Sequence, residues 1–391
     1  MTEHPTPRDQ AATLETLRAA GFVGDGGADL GEMLATAADI PDGDDAAWRT
    51  TWSMTAQRTA RDGQSSLDLG DVVSAREAFL RASNYFRLAE FFCGVDPGDD
   101  LDAMSLARCS RGYFERAAGM TDARFTTVRI PYEGGTMPGY LFLVDDGGKP
   151  RPTVIYTNGF GASCEEGYLV VGAAALRRGY NFLAYDGPGQ GAMLREQKVT
   201  MRPDWENVLG PVVDYASGVP EVDADAIVHF GHGLGGYLVA RYAAHGGRAA
   251  AIVCNDGMTT FYASSPPIPE PILSLVEDER DDEAVALLDV LTKESARARR
   301  DLRTGRWAFG GATSVDYVRT SAEYTLTTDD IRHITSPTLV LENIGDASRA
   351  GQAASFARAM TAPVTYVVMR DADDALHQKV FDFLATTLRA G

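Results

Sequence analysis

Apolar and aromatic residues recur at three- and four-residue spacing through the first third of the chain, which is typical of amphipathic helices. The stretch from Asp71 to Phe92 shows this spacing most clearly, and the residues from Asp99 to Ala118 repeat it. No β-rich run interrupts these segments. We therefore predict a helical N-terminal domain over residues 1–123.

The pattern changes near Arg124, where short apolar runs are separated by Gly-Gly turn signals. From Val154 onwards, strand-like runs alternate with helical segments. This alternation predicts an α/β fold over residues 124–391, with a mostly parallel sheet and helices on both faces. A Pro-rich and then strongly charged stretch at about 262–325 breaks the alternation. We interpret it as a helical insertion over the C-terminal edge of the sheet.

Composition narrows the classes of partner. The 391 residues carry 55 acidic and 36 basic side chains, a formal net charge of -19. Such a charge repels phosphate backbones, so we expect no nucleic-acid partner. No run approaches the roughly 18 apolar residues of a membrane span, and the polar first ten residues contain no signal-peptide core. We expect a cytoplasmic protein that does not enter membranes.

The cysteines give no sign of a metal centre. Cys93, Cys109, Cys164 and Cys254 show no C-x-x-C spacing and have few histidines near them in the sequence. Reduced thiols in a reducing compartment are the simplest interpretation. We expect neither a metal nor another cofactor.

The run from Gly231 to Gly236 follows a predicted strand and opens a predicted helix. This is the context of the nucleophile elbow G-x-S-x-G of α/β-hydrolases, in which the middle residue is the attacking serine. Gly233 occupies that position here and has no side chain that could attack a substrate. The alternative is a plain Gly-rich turn between a strand and a helix.

The run Asn158-Gly159-Phe160-Gly161 follows the strand that begins at Val154. In the same fold this loop supplies one main-chain N–H of the oxyanion hole, and the residue after the nucleophile supplies the other. Those donors would be Phe160 and Leu234, with Gly159 and Gly161 flanking the first. An ordinary strand-to-helix turn is the alternative.

The run from Tyr185 to Gly191 is a third Gly-rich turn. Its spacing is not that of a phosphate-binding loop, and Pro188 removes a main-chain donor. We therefore expect no nucleotide there.

Several of these segments together resemble one family. They are NGFGASCEE, YDGPGQGAMLREQ, MRPDWENVLGPVVDY, PEVDADAIVHFGHGLGGYL and ITSPTLVLENIGD. They resemble the α/β-hydrolase family that groups the fermentation-respiration switch protein, 2,6-dihydroxypseudooxynicotine hydrolase and fungal heptaketide pigment hydrolases. The resemblance implies an α/β-hydrolase fold, a helical N-terminal domain that closes the site and a homodimer. It also implies hydrolysis, including cleavage of C–C bonds next to ketones.

The triad of this fold runs nucleophile, acid, histidine along the chain. Asp346 follows a predicted strand and fits the acid, although a solvated loop carboxylate would look the same. Asp374 falls about where the histidine belongs. His377 comes three residues later, and we interpret it as the start of the last helix; in the alternative, a shortened loop turns it inward as the base.

Two further residues are candidates for chemistry at this edge. His232 precedes Gly233, and Asp256 ends a strand where ligands bind in α/β sheets. The structural alternatives are that His232 packs under the sheet and that Asp256 caps a turn.

With both nucleophile and histidine absent, the sequence predicts a non-hydrolytic enzyme of secondary metabolism. We expect it to bind a small molecule, a polyketide-like or aromatic ketone, and to catalyse cyclisation, elimination or rearrangement. Two alternatives stay open: a C–C or ester hydrolase inactivated by a Ser→Gly change at position 233, and a non-catalytic binding protein.

Overall fold

The computed structural model describes residues 10–92, 100–262, 264, 267–343, 349–369 and 376–388. The chain divides into two compact units. Unit 1 comprises Met1–Phe125 and Val290–Trp307, and unit 2 comprises Thr126–Asp289 and Ala308–Gly391. Residues 290–307 fall within the predicted insertion, yet they group with the N-terminal residues.

Helices form the N-terminal part of unit 1, as predicted. They are α1 Gln10–Ala20, α2 Leu30–Ala38, α3 Asp45–Asp68, α4 Val72–Glu90 and α5 Leu101–Ala118. Each of α2 to α5 begins after an aspartate whose carboxylate accepts a main-chain N–H from the first turn. Trp48 and Trp52 of α3 are buried, and the Trp48 indole donates to the Leu88 carbonyl at 2.6 Å. The aromatic spacing seen in the sequence therefore fills the core of this unit.

Within the described part of unit 2 and the residues just before it, eight strands form one sheet in the order β1-β2-β4-β3-β5-β6-β7-β8. Their bounds are β1 Arg124–Tyr132, β2 Gly135–Leu143, β3 Arg151–Thr157, β4 Asn181–Tyr185, β5 Val222–His232, β6 Ala251–Asn255, β7 Thr338–Asn343 and β8 Val364–Met369. β2 pairs antiparallel with β4, and the pairs from β4 to β8 are parallel. β4 and β6 are buried throughout. This confirms the predicted mostly parallel sheet, covered on both faces.

Helices alternate with the strands. Those before the insertion are α6 Cys164–Gly167, α7 Ala173–Leu176, α8 Gly191–Arg195, α9 Glu206–Ser217 and α10 Leu234–Ala244, with a π-helical turn at Tyr168–Gly172. The insertion contains α11 Glu270–Glu277, α12 Asp281–Glu294, α13 Ala296–Phe309 and α14 Ser314–Ala322. The remaining helices are α15 Thr328–Arg332, α16 Gln352–Ala359 and α17 Leu376–Thr387.

The start of α10 differs from the sequence-based expectation. From the sequence, the helix after the Gly231–Gly236 run is expected to begin at Tyr237. The helix begins instead at Leu234, directly after the turn at Gly233.

None of the helices in the described ranges combines the length and apolarity that a membrane span requires.

His229 of β5 is a fully buried titratable group. Its Nε2 lies 2.9 Å from the Arg248 carbonyl oxygen, and its ring packs edge-on against Tyr242. Burial lowers the pKa of this imidazole from 6.5 to about 4, and the hydrogen bond to Arg248 opposes the shift only in part. The folded protein therefore holds His229 neutral over a pH range in which the unfolded chain protonates it.

We predict that this histidine makes the fold sensitive to acid. Because the unfolded state binds the extra proton, its stabilising effect is complete above about pH 6.5 and is lost as the pH falls towards about 4. Between about pH 7 and pH 5 the wild type should lose about 2 kcal/mol more unfolding free energy than His229→Gln. Urea unfolding at both pH values measures this difference. His245→Gln, at an exposed histidine, should retain the wild-type pH dependence; equal slopes in all three proteins would contradict the prediction.

Candidate functional site

Gly233 joins β5 to α10 at φ 57° and ψ -122°. L residues that carry a side chain rarely adopt such backbone angles, whereas glycine adopts them without steric cost. The Gly233 N–H donates to the Asn255 carbonyl at 2.7 Å, and its own carbonyl accepts from the Gly236 N–H at 2.9 Å. The sharp turn of a nucleophile elbow is thus present, and its central residue offers no nucleophile.

The space around Gly233 would admit a side chain. Among the described residues, a Cβ built on Gly233 would have one heavy atom within 4 Å, Nη1 of Arg349 at 3.9 Å. Backbone strain, rather than a lack of room, is therefore what a larger residue would meet there.

The neighbouring glycines have no such room. A Cβ on Gly159, Gly231, Gly235 or Gly236 would collide with a main-chain oxygen of a neighbouring strand or loop. Backbone oxygens in a buried sheet cannot move aside as a flexible side chain can. These four glycines are therefore required by the close approach of the loop after β3, the end of β5 and the start of α10.

This close approach brings the predicted oxyanion-hole residues to the elbow. A Cβ on Gly159 would lie 3.7 Å from the Leu234 nitrogen, so the loop after β3 adjoins the first residue of α10. Leu234 lies in the first turn, where N–H groups have no acceptor within the helix. Gly161 takes φ 69°, which turns the chain immediately after Phe160. The structure thus brings together Gly159, Phe160, Gly161 and Leu234 beside Gly233.

The buried carboxylate of Asp186 holds the loop after β3 in place through hydrogen bonds. Its Oδ1 accepts from Asn158 Nδ2 at 3.0 Å and from the Cys164 N–H at 2.8 Å, while Oδ2 accepts from the Ala192 N–H at 2.8 Å. Gln190 Nε2 donates to the Asn158 carbonyl at 2.9 Å. The Gly-rich turn from Tyr185 to Gly191 therefore supports the oxyanion loop. The signal in the sequence was an Asp and a Gln within an otherwise apolar turn.

Asp256 lies just beyond β6 with φ 77°, an unusual angle for a residue other than glycine. Its Oδ2 accepts from Arg349 Nη1 at 2.5 Å, and its Oδ1 accepts from Asn343 Nδ2. The carboxylate is thus engaged in an ion pair and an amide contact. Sequence reasoning missed Arg349 and Asn343, because nothing in the local pattern marks a partner about 90 residues away.

These side chains border a small surface recess, lined by Asp256, Gly257, Met258, Leu341, Glu342, Asn343, Arg349, Gln352 and Ala353. The recess places one ion pair beside the elbow.

His232 is half-buried at the same edge of the sheet. Its Nδ1 accepts a hydrogen bond from Asn255 Nδ2 at 3.0 Å, and Asn255 Oδ1 accepts from Asn343 Nδ2 at 3.2 Å. His232 therefore belongs to an amide chain along the ends of β5, β6 and β7, rather than packing under the sheet.

The remaining candidates for the triad are Asp346, Asp374 and His377. Asp346 and Asp374 lie outside the described residues. His377 is the second residue of α17, and its Nε2 donates to the Val170 carbonyl at 2.8 Å. This nitrogen anchors α17 to the π-helical turn. A role as base through Nε2 would require that hydrogen bond to break.

Cys254, which pairs with Gly231 across β5 and β6, offers no replacement nucleophile at the elbow. Cys254 of β6 is fully buried, and burial raises the pKa of its thiol to about 12. The reactive form of cysteine is the thiolate, which such a pKa suppresses at neutral pH.

One group of potential metal ligands occurs in the described residues: Cys164, Glu165 and Asp186. The three N–H donors described above already contact both oxygens of Asp186, and Glu165 Oε1 accepts from the Tyr140 hydroxyl at 2.8 Å. Hydrogen bonding of this kind fits a structural core, and we assign no metal to it.

Replacement of Asp186 should test its supporting role. Asp186→Asn keeps the shape but turns an amide NH₂ towards main-chain N–H donors, so buried donors lose their acceptor. We expect the unfolding free energy to fall by about 3 kcal/mol or more. Asp225→Asn, an exposed position in β5, is the matched control and should change stability by less than about 0.5 kcal/mol. Equal urea midpoints for the two variants would contradict this role.

Known proteins place this architecture in a family. Residues 154–385 match the alpha/beta hydrolase family, and residues 33–264 match the FrsA-like esterases. The chain is 32% identical over 336 residues to 20-hydroxy-prefusarin hydrolase FUS2 of Gibberella moniliformis, covering 83% of this chain and 80% of that protein. It is 34% identical over 227 residues to hydrolyase poxO of Penicillium oxalicum, covering 56% of this chain and 54% of that protein.

Among solved structures, the fold is similar to that of 2,6-dihydroxy-pseudo-oxynicotine hydrolase. The TM-score is 0.74 with 20% sequence identity, and the match covers 95% of this chain and 96% of the other. An identity this low shows a shared fold and not a shared activity. With its elbow, its oxyanion loop and these family matches over more than half its length, the chain belongs to the α/β-hydrolase family.

Proposed function

We propose that this protein is a non-hydrolytic enzyme of secondary metabolism that acts on a polyketide-like or aromatic ketone. The reaction would be a cyclisation, an elimination or a rearrangement. One observation carries the proposal: the elbow geometry is intact at φ 57° while Gly233 supplies no nucleophile. Two relatives bear on the kind of pathway and not on the reaction type, since one is named a 20-hydroxy-prefusarin hydrolase and the other a hydrolyase.

Gly233 excludes the acyl-enzyme route at this position. A serine hydrolase forms a covalent bond between the side-chain oxygen and the substrate carbonyl carbon. Glycine has no such oxygen, and the buried Cys254 thiol is not ionised at neutral pH. The chemistry proposed for this site therefore proceeds without a covalent intermediate at Gly233.

The oxyanion hole supplies the electrophilic assistance. In our proposal the main-chain N–H groups of Phe160 and Leu234 donate to the oxygen of a substrate ketone. Removal of a proton from the neighbouring carbon then places negative charge on that oxygen, where the donors bind it most strongly. The substrate becomes an enolate without any bond to the protein.

The enolate has two productive outcomes. Its carbon attacks a second carbonyl of the same chain and closes a ring, or it expels a β-hydroxyl group. The abstracted proton returns to the new alkoxide in the first case, and leaves with hydroxide as water in the second. Holding a flexible chain in a folded conformation adds to the rate in either case.

A carboxylate at the C-terminal edge of the sheet would move the proton. Asp256 is the described candidate, since the guanidinium nitrogen that binds it lies 3.9 Å from the Cβ position of Gly233. Asp346 and Asp374 are the other candidates in the proposal. The Arg349 contact holds the Asp256 carboxylate at this edge of the sheet.

Product mass tests the reaction class directly. We expect incubation with linear polyketide or aryl β-diketone substrates to give products of unchanged mass, or products that have lost one water, by mass spectrometry. The enzyme boiled before incubation controls for spontaneous cyclisation. Products that have gained one water would overturn the proposal in favour of hydrolysis, and tight binding without turnover would favour a binding protein.

Restoring a serine tests the alternative of an inactivated hydrolase. We expect Gly233→Ser to hydrolyse neither p-nitrophenyl esters nor β-diketones, because His377 Nε2, the nitrogen that takes the serine proton in a triad, donates to the Val170 carbonyl instead. Gly233→Ala is the matched control: both variants carry the same backbone strain, of about 1 to 2 kcal/mol. A burst of p-nitrophenol with Gly233→Ser and not with Gly233→Ala would show a functional base and contradict our assignment of His377.

A further inference from the structure

The side chain of Phe160, whose N–H is the proposed oxyanion donor, lies among three other aromatic rings. Its ring centroid is 5.5 Å from that of Phe261, 6.2 Å from that of Phe309 and 6.3 Å from that of Tyr317. The Tyr317 ring is nearly parallel to that of Phe160, with an interplanar angle of 13°. We call Phe261, Phe309 and Tyr317 the aromatic clamp.

The members of the clamp also hold one another. The rings of Phe261 and Phe309 are parallel within 2°, at 5.8 Å, and Tyr317 meets Phe309 edge-on at 5.2 Å. All three side chains are buried. Offset-parallel and edge-on pairs at these distances are favourable geometries for aromatic rings. The clamp is therefore a preformed surface against which the Phe160 ring is fixed.

Two of the three rings come from the insertion between β6 and β7. Phe309 ends α13, and Tyr317 lies in α14, whose first turn is fixed by a capping box between Thr313 and Asp316. Phe261 precedes the insertion, and its N–H donates to the Tyr324 carbonyl at 2.9 Å. The insertion thus contacts the loop after β3 through aromatic side chains.

The backbone on either side of Phe160 explains why the packing of its ring matters for its N–H group. Phe160 is flanked by Gly159 and Gly161, the residue type with the greatest conformational freedom. Asp186 and Gln190 fix the loop before Phe160, at Asn158. After Gly161 the chain is fixed again, because the Gly191 N–H donates to the Ala162 carbonyl and the Cys164 N–H donates to Asp186. Between these anchors, the packing of the Phe160 ring is a further constraint on the direction in which the Phe160 N–H points.

We infer that Tyr317 and Phe309 are positioning residues for the oxyanion hole, acting through the ring of Phe160. The insertion would then determine the geometry of a main-chain donor that it does not itself contact. This inference rests on the proposed role of the Phe160 N–H, and it adds that the donor depends on a stack of rings from another part of the chain.

The first test observes the amide without any substrate. In protein labelled with ¹⁵N-phenylalanine, we expect Tyr317→Leu to shift and broaden the Phe160 amide resonance. Tyr317→Phe keeps the ring and should leave that resonance in place. The amides of Phe142 and Phe182, in β2 and β4, are internal controls for intact folding. An unchanged Phe160 resonance in Tyr317→Leu would overturn the inference, as would equal shifts at all three phenylalanines.

The second test measures the binding of p-nitrophenolate, a planar oxyanion, to the proposed oxyanion hole. We expect Tyr317→Leu to weaken its binding by roughly tenfold, the scale of an aromatic pair, and Tyr317→Phe by less than about twofold. In a Phe160→Leu background the Tyr317→Leu change should have no further effect, because the coupling runs through the Phe160 ring. Additive losses in the double variant would overturn the inference.

The two tests separate this inference from the proposed function. If the amide responds as expected but p-nitrophenolate does not bind the wild type, the positioning by Tyr317 holds and the oxyanion role of Phe160 fails. If the wild type binds p-nitrophenolate and the Phe160 amide resonance is unchanged in Tyr317→Leu, the oxyanion role of Phe160 is supported and its positioning by Tyr317 is contradicted.

Discussion

The turn at Gly233 requires three segments of backbone to pass within van der Waals distance of one another. The loop after β3, the end of β5 and the start of α10 meet there, and glycines occupy each point of closest approach. A methyl group at Gly231, Gly235 or Gly236 would meet a main-chain oxygen. Because this constraint concerns backbone alone, it is independent of which side chain, if any, stands at position 233. The main-chain donors of the site depend on the same constraint.

Absence of the nucleophile is therefore compatible with an otherwise complete site. A serine at φ 57° would hold a strained conformation, which a nucleophile elbow stabilises through its surroundings. Glycine removes that strain while the Gly233 N–H keeps its hydrogen bond to the Asn255 carbonyl. In the proposed function the oxyanion donors are main-chain groups, so a glycine at position 233 leaves them in place. A glycine there removes only the covalent step of a serine hydrolase.

Local patterns in the sequence predicted much of this fold. Alternating strand and helix patterns predicted the parallel sheet, and the glycine spacing of Gly231–Gly236 predicted the elbow. Both signals extend over only a few neighbouring residues. The same patterns could not reveal that Asp256 pairs with Arg349, or that His377 bonds to Val170 across about 200 residues. Such partners are brought together by the sheet, and no spacing in the chain encodes them. The acid and histidine positions at Asp346 and Asp374 remain predictions.

The oxyanion loop is held from two directions by groups that do not approach Gly233. A buried carboxylate, Asp186, anchors Asn158 by charge-assisted hydrogen bonds, and aromatic rings of the insertion pack on Phe160. The first support belongs to the sheet and the second to the most variable kind of segment, an insertion between strands. In our proposal these supports determine the geometry of the donors, so a change in the insertion would alter what the hole binds while the elbow stays the same. A scaffold arranged in this way allows its chemistry to change without loss of its fold.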